Sequence, residues 1–151
     1  MNRRRQKLRF VDPPPAPVYT GPESLAGFLF MEYAGSPSDK LGIVLLDRDR
    51  RVIGRELILN SNVPATCYTP EFVAALLKGS CALVPFSYKP RPWSPWATHD
   101  PKFVMIIRNW LRQSGRKIHD HLMLFSDGRW RSYGVDRHVD GVCQSAEVRD
   151  P

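Results

Sequence analysis

The chain has 151 residues, 42% hydrophobic and 25% charged, which fits one globular domain with an ordinary core and excludes disorder throughout. No apolar run approaches the length that spans a bilayer, and no apolar stretch follows the basic start MNRRRQKLRFVDPPP as it does in a signal peptide; a cytoplasmic protein without membrane contact is the expectation. The formal charge is +7, but residues 1–21 hold Arg3, Arg4, Arg5, Lys7 and Arg9 against Asp12, a local +4 that leaves only +3 for the other 130 residues. A domain built for nucleic acid is therefore not indicated, although the basic leader could serve as an electrostatic arm.

The leader runs into VDPPPAPVYTGP, whose five prolines favour an extended, poorly packed segment. Residues 1–21 are expected to be flexible, either as a solubilising leader or as an arm for an acidic partner. In GPESLAGFLFMEYAG, Leu25, Phe28, Leu29 and Met31 suit a short helix closed by Gly35. LGIVLLD and VIGRELIL, joined by the charged turn DRDRR, read as a β-hairpin. TPEFVAALLKG has Pro70 near a helix start, Gly79 near its end, and an apolar stripe of Phe72, Val73, Leu76 and Leu77.

CALVPF predicts a short buried strand, after which Ser87–Asp100, SYKPRPWSPWATHD, reads as a loop. DPKFVMIIRNWLRQSG then predicts a helix with Asp100 at its N-cap, proline next, and Gly115 at its close. KIHDHLMLF and RWRSYG predict two final strands around the turn SDGR, with Trp130 inward and Arg129 and Arg131 on a polar outer face. Arg108, Trp110 and Arg112 add a further, weak basic-aromatic alternation. Cys67, Cys81 and Cys143 are widely separated and form no CxxC pair, so neither a disulfide framework nor a cysteine-rich zinc site is indicated. They read as reduced and mostly buried thiols. The order of elements is that of a single α/β domain, a central sheet flanked by helices.

LLDRDRRVIGREL, TPEFVAAL and IHDHLMLFSDGRWRSYG, in this order, resemble the RadC-like branch of the JAB/MPN metalloprotease superfamily. The first is similar to that family's Leu-Asp-x-x-x-Arg-Val-Ile hairpin and the second to the helix after it. The third is similar to its closing Asp-His strand, Asp-Gly turn and aromatic-Ser strand. The resemblance covers residues 22–135 and implies a JAB/MPN-like (cytidine-deaminase-like) domain with a central mixed sheet, residues 1–21 and 136–151 being tails. The helical DNA-binding-type segment that often precedes this domain in full-length RadC proteins is not expected here.

Active members of the superfamily carry His-x-His-Pro at a strand end, Ser-x-x-Asp at a helix start, and a Glu on an early strand. Histidines at i and i+2 of a strand reach one zinc ion, and the Asp completes its ligands. The Glu is the general base and the Ser steadies the oxyanion. In this chain Ser87 and Lys89 match the two histidines, Pro90 the proline, Ala97 the serine, Asp100 the ligand aspartate and Asp39 the glutamate. A serine hydroxyl is a poor neutral ligand and a lysine ammonium repels zinc. The resemblance therefore implies a fold that has lost its zinc and its hydrolytic residues, with no cofactor. The ammonium of Lys89 is expected where the metal charge lies in active members, paired with Asp100 and with Asp39 as a further partner.

Such a pseudoenzyme is expected to act as a non-catalytic binding or regulatory module for a protein or peptide. Tyr88, Arg91, Trp93 and Trp96 mix aromatic and basic side chains in one loop, suited to anchoring a peptide or stacking on unpaired bases. The alternative for the tryptophans is to fold over the vacated pocket and plug it. His119 and His121 form a second His-x-His around Asp120; strand alternation puts both imidazoles on one face, which keeps open a metal-dependent hydrolase with a relocated site. A nucleic-acid binder using the basic leader and the tryptophan loop is the remaining alternative.

Overall fold

The computed structural model describes residues 17–57, 70–97, 105, 107–109, 112, 114–133 and 138–143. They form helix α1 (Pro22–Tyr33), strands β1 (Lys40–Leu46) and β2 (Val52–Leu57), helix α2 (Pro70–Leu76), and strands β3 (Ala82–Lys89), β4 (Lys117–Ile118), β5 (Leu122–Phe125), β6 (Arg129–Tyr133) and β7 (His138–Val142). Described residues between 105 and 114 are helical, and Gly115 closes that segment at φ 69°. The described strands make one mixed sheet in the order β2-β1-β3-β5-β6-β7, with β4 beside the start of β3. β3 runs parallel to β5 and antiparallel to β1, so the protein is α/β, as expected.

Local chemistry accounts for the first hairpin. Asp47 Oδ1 accepts hydrogen bonds from the backbone N–H groups of Asp49 at 2.8 Å and Arg51 at 2.9 Å. That clamp holds Arg50 in the left-handed region at φ 63°, where a short side-chain acceptor three residues upstream compensates the turn. β1 then pairs with β2 through Gly42–Leu46. Gly35 and Gly79, at φ 86° and 83°, follow the ends of α1 and α2.

Two apolar clusters cover the two faces of the sheet. Leu25, Ala26, Leu29 and Phe30 of α1 pack against Val44, Val84, Phe86, Tyr88, Leu122, Leu124 and Trp130. On the other face Val73 and Leu77, from α2 and just past it, join Ile107, Ile43, Leu45 and Leu83. β3 is buried along its whole length because both layers close on it. Phe72, read as part of the α2 stripe, is 47% exposed instead, since the helix turns only Val73 and Leu77 fully inward.

Four boundaries differ from expectation. β3 does not stop at Phe86 but carries Ser87, Tyr88 and Lys89, so the segment read as a loop begins as a buried strand. KIHDHLMLF is not one strand: it breaks at His119–His121 into β4 and β5. His138–Val142, read as C-terminal tail, is the edge strand β7 and pairs with β6 along its length. Residues 17–21 of the expected flexible leader are held in place, with Val52 N–H donating to Pro17 O at 2.9 Å and Tyr19 N–H to Arg50 O at 2.7 Å. No helix among the described residues is long and apolar enough to cross a membrane.

β7 closes on β6 only because Gly141 lies under the Trp130 indole, where an added Cβ would collide with the ring. Gly141→Ala is expected to destabilise the protein by about 1–3 kcal/mol through forced overpacking. A urea-unfolding midpoint equal to that of the wild type would show that Trp130 does not pack on this strand.

Candidate functional site

Strand register gathers the residues singled out by sequence. Leu41, Ser87, Met123, Arg131 and Asp140 stand directly opposite one another from β1 to β7, in one row across the sheet. Residues opposite one another share a face. One step further toward the end of β3, Lys89 lies beside Phe125, and Asp39, immediately before β1, comes opposite it. Alternation along β3 puts Ser87 and Lys89 on the same face, the one toward α2.

Lys89 Nζ donates to Asp39 Oδ2 at 3.3 Å, with the lysine side chain 9% and the aspartate side chain 46% exposed. The ammonium is thus enclosed while its counter-ion faces water. The Ser87 hydroxyl is fully buried and has no hydrogen-bond partner among the described residues. Asp100, expected as the main partner of Lys89, lies outside the described residues, as does His99.

The segment after β3 is fixed by its backbone. Ser126 N–H donates to Arg91 O at 3.0 Å, Trp93 N–H to Asp127 Oδ2 at 3.1 Å, and Tyr133 Oη to Ala97 O at 3.2 Å. Arg131 Nη1 donates to Pro95 O at 3.1 Å, while its Nε and Nη2 hold both oxygens of Asp140 at 2.6 and 3.1 Å. The hydrogen bond to Asp140 raises the Arg131 pKa above its already high ordinary value. Trp93 is half-buried, with the guanidiniums of Arg129 and Arg131 5.4 and 5.3 Å from its ring centre.

Several residues take other places than expected. Arg131 is not on a polar outer face: it is 7% exposed beneath Trp93. Tyr88 is a core residue, 1% exposed, because alternation within β3 turns it toward α1, so it is no part of a binding surface. Trp96 does not plug a pocket but stands 87% exposed, while Arg91 beside the loop is also exposed. Ala97 is half-buried and offers only its carbonyl. Cys143 is buried, which pushes its thiol up to about 11, but Cys81 is exposed, contrary to expectation, and Cys67 lies outside the described residues. Arg108 and Arg112 are exposed, and Trp110 is not among the described residues.

The IHDH stretch is organised by its aspartate. Asp120 is 4% exposed, and its carboxylate accepts from Tyr19 Oη at 3.0 Å, Ser132 Oγ at 2.5 Å and the His121 N–H at 2.8 Å. Burial and the adjacent Asp120 charge raise the Tyr19 hydroxyl pKa, which keeps it a donor. The His119 ring stacks on Tyr19, with centroids 5.6 Å apart, and His121 meets Tyr133 edge-on at 6.4 Å. Because the strand is interrupted here, the alternation expected to align the two imidazoles does not apply. No group of three metal-capable side chains occurs among the described residues.

Sequence reading missed the Tyr19–Asp120–Ser132 cluster and the Arg131–Asp140 pair. A tyrosine inside a proline-rich leader carries no local signal of burial, and partners separated by 101 and 12 positions meet only through the sheet. Compared with models of protein families the chain matches none, and no curated protein matches its sequence.

Asp120→Ala removes the acceptor from two buried hydroxyls and is expected to cost at least about 3 kcal/mol in chemical denaturation, with Asp120→Asn less damaging because one acceptor oxygen remains. An Asp120→Ala unfolding midpoint close to that of the wild type would show that the carboxylate is not the centre of this cluster. A second expectation concerns His119, whose burial, helped by Arg50 and Lys117, holds its pKa below the ordinary histidine value. The unfolded chain therefore takes up the proton first; the stability contributed is complete above about pH 6.5 and declines as pH falls through that value. His119→Gln should flatten this slope in denaturation measured from pH 8 to 5, and an unaltered slope would refute the assignment.

Proposed function

We propose that this chain is a RadC-like JAB/MPN-type domain that has lost its zinc ligands and works as a non-catalytic binding module. The observation that carries the reading is the enclosed Lys89 ammonium 3.3 Å from Asp39, with the Ser87 hydroxyl, which has no partner among the described residues, one alternation away on the same face. These are three of the positions that match the metal and general-base residues of active relatives. A neutral hydroxyl, a cation and a carboxylate already held by that cation do not fit zinc, which takes imidazole, thiolate or carboxylate donors.

The binding role rests on the loop beyond β3. Trp96 is 87% exposed on a backbone pinned to β6 and to the turn before it, and Arg91 is exposed nearby. A large aromatic held in water by a fixed loop is the usual anchor of a protein or peptide contact. Arg91, Trp93 and Trp96 therefore make up the proposed surface, with Trp93 as its inner support.

Restoring the lost ligands tests the origin of the site. Ser87→His with Lys89→His, in the full chain, is expected to gain cobalt binding with tetrahedral visible absorption, where the wild type shows none. A double variant that takes up no more cobalt or zinc than the wild type would overturn the assignment of these positions. Stoichiometric zinc in the wild type that disappears on changing His119 or His121 would overturn the non-catalytic reading in favour of a relocated metal site.

A further inference from the structure

Helix α1 is apolar on more sides than the core uses. Leu25, Ala26, Leu29 and Phe30 point into the domain, yet Phe28 is only partly buried and Met31 is 55% exposed on the outer side. A helix apolar nearly all round is ordinarily covered all round. Along that outer side runs a half-open cleft of about 690 Å³, whose apolar walls are Phe28, Met31, Trp130 and Val142. The charged residues lining it among the described residues are both acidic, Glu23 and Glu32. Glu32 already holds Arg55 at 2.5 Å, whereas Glu23 has no ion pair among the described residues.

The chain carries a segment of complementary chemistry. Residues 3–10 read RRRQKLRF: five cations, no acid, and two apolar side chains, Leu8 and Phe10, spaced to share one side of an extended strand. The path into the domain is fixed, because Pro17 and Tyr19 are bound to the β1–β2 hairpin and α1 starts three residues after Tyr19. Seven extended residues back from Pro17 to Phe10 reach roughly 23 Å. Pro17 is held at β2, and Trp130 lies four strands across the sheet on β6, about 19 Å away at the usual strand spacing. The Trp130 side of the cleft is therefore within reach of Phe10 in the same molecule.

We infer that the cleft beside α1 takes the chain's own residues 3–10, with Leu8 and Phe10 between Phe28 and Trp130 and the flanking cations against Glu23 and Glu32. Docked in this way, the leader withholds its positive charge from an acidic partner and covers the outer side of α1. The inference does not depend on the ancestry of the Lys89 site.

Trypsin cleavage after Arg3–Arg9 in the full chain, followed by mass spectrometry, tests it. Wild type is expected to be cut slowly, and Leu8→Ser with Phe10→Ser at least about tenfold faster, as for an equilibrium shifted by about 1.4 kcal/mol. Gly27→Arg should act likewise, since it puts a cation into the cleft at a position where an added Cβ meets no heavy atom within 4 Å. Added salt should speed cleavage of the wild type. Equal rates in the three proteins overturn the inference, and so does protection that increases with protein concentration, because it places the segment on a second copy.

Discussion

A buried carboxylate needs donors, and the way Asp120 obtains them shapes much of this domain. Its side chain takes hydroxyls from Tyr19 and Ser132 and the backbone N–H of its own neighbour His121. That last contact bends the chain, so the strand that leads into β5 cannot remain continuous through residues 119–121. The hydroxyl of Tyr19 draws the entering segment onto the same point, and Ser132 ties in β6. One carboxylate thus joins the start of the domain to its closing hairpin.

The interruption also answers a question posed by β3. Pro85 lies within a strand flanked on both sides, where a missing N–H is ordinarily disfavoured. On the side of β4 and β5, however, pairing stops at Leu83 and resumes at Phe86, so Pro85 falls opposite the break. The strand tolerates a residue that cannot donate because its neighbour is bent away at that level. Beyond this point the same face of the sheet carries Lys89 and Arg131, and each is matched to a carboxylate reached across strands, Asp39 and Asp140. Each of these two buried cations thus has its own counter-ion.

Much of this was legible from local pattern. The hairpin of β1 and β2, the start of α2 at proline, and the glycines after both helices follow from turn chemistry and apolar spacing, which are short-range signals. The expected contact between Lys89 and Asp39 is also present, because both are set by the register of β1 against β3. What escaped depended on distant partners. Tyr88 and Trp96 are both aromatics in one proline-rich stretch, but strand alternation sends Tyr88 into the core and leaves Trp96 outside. Arg131 looked like a surface residue until Trp93 and Asp140, from two other segments, were placed around it.

The pinned loop after β3 has a consequence for recognition. Most surface tryptophans that contact a partner must give up backbone and side-chain freedom when they do, and that loss reduces the observed affinity. Here the backbone carbonyls of Arg91, Pro95 and Ala97 are already engaged in the free protein. The chain entropy of the loop is lost at folding rather than at encounter. In the binding role proposed for Trp96, a small contact area can therefore suffice where a mobile loop of the same composition would need a larger one.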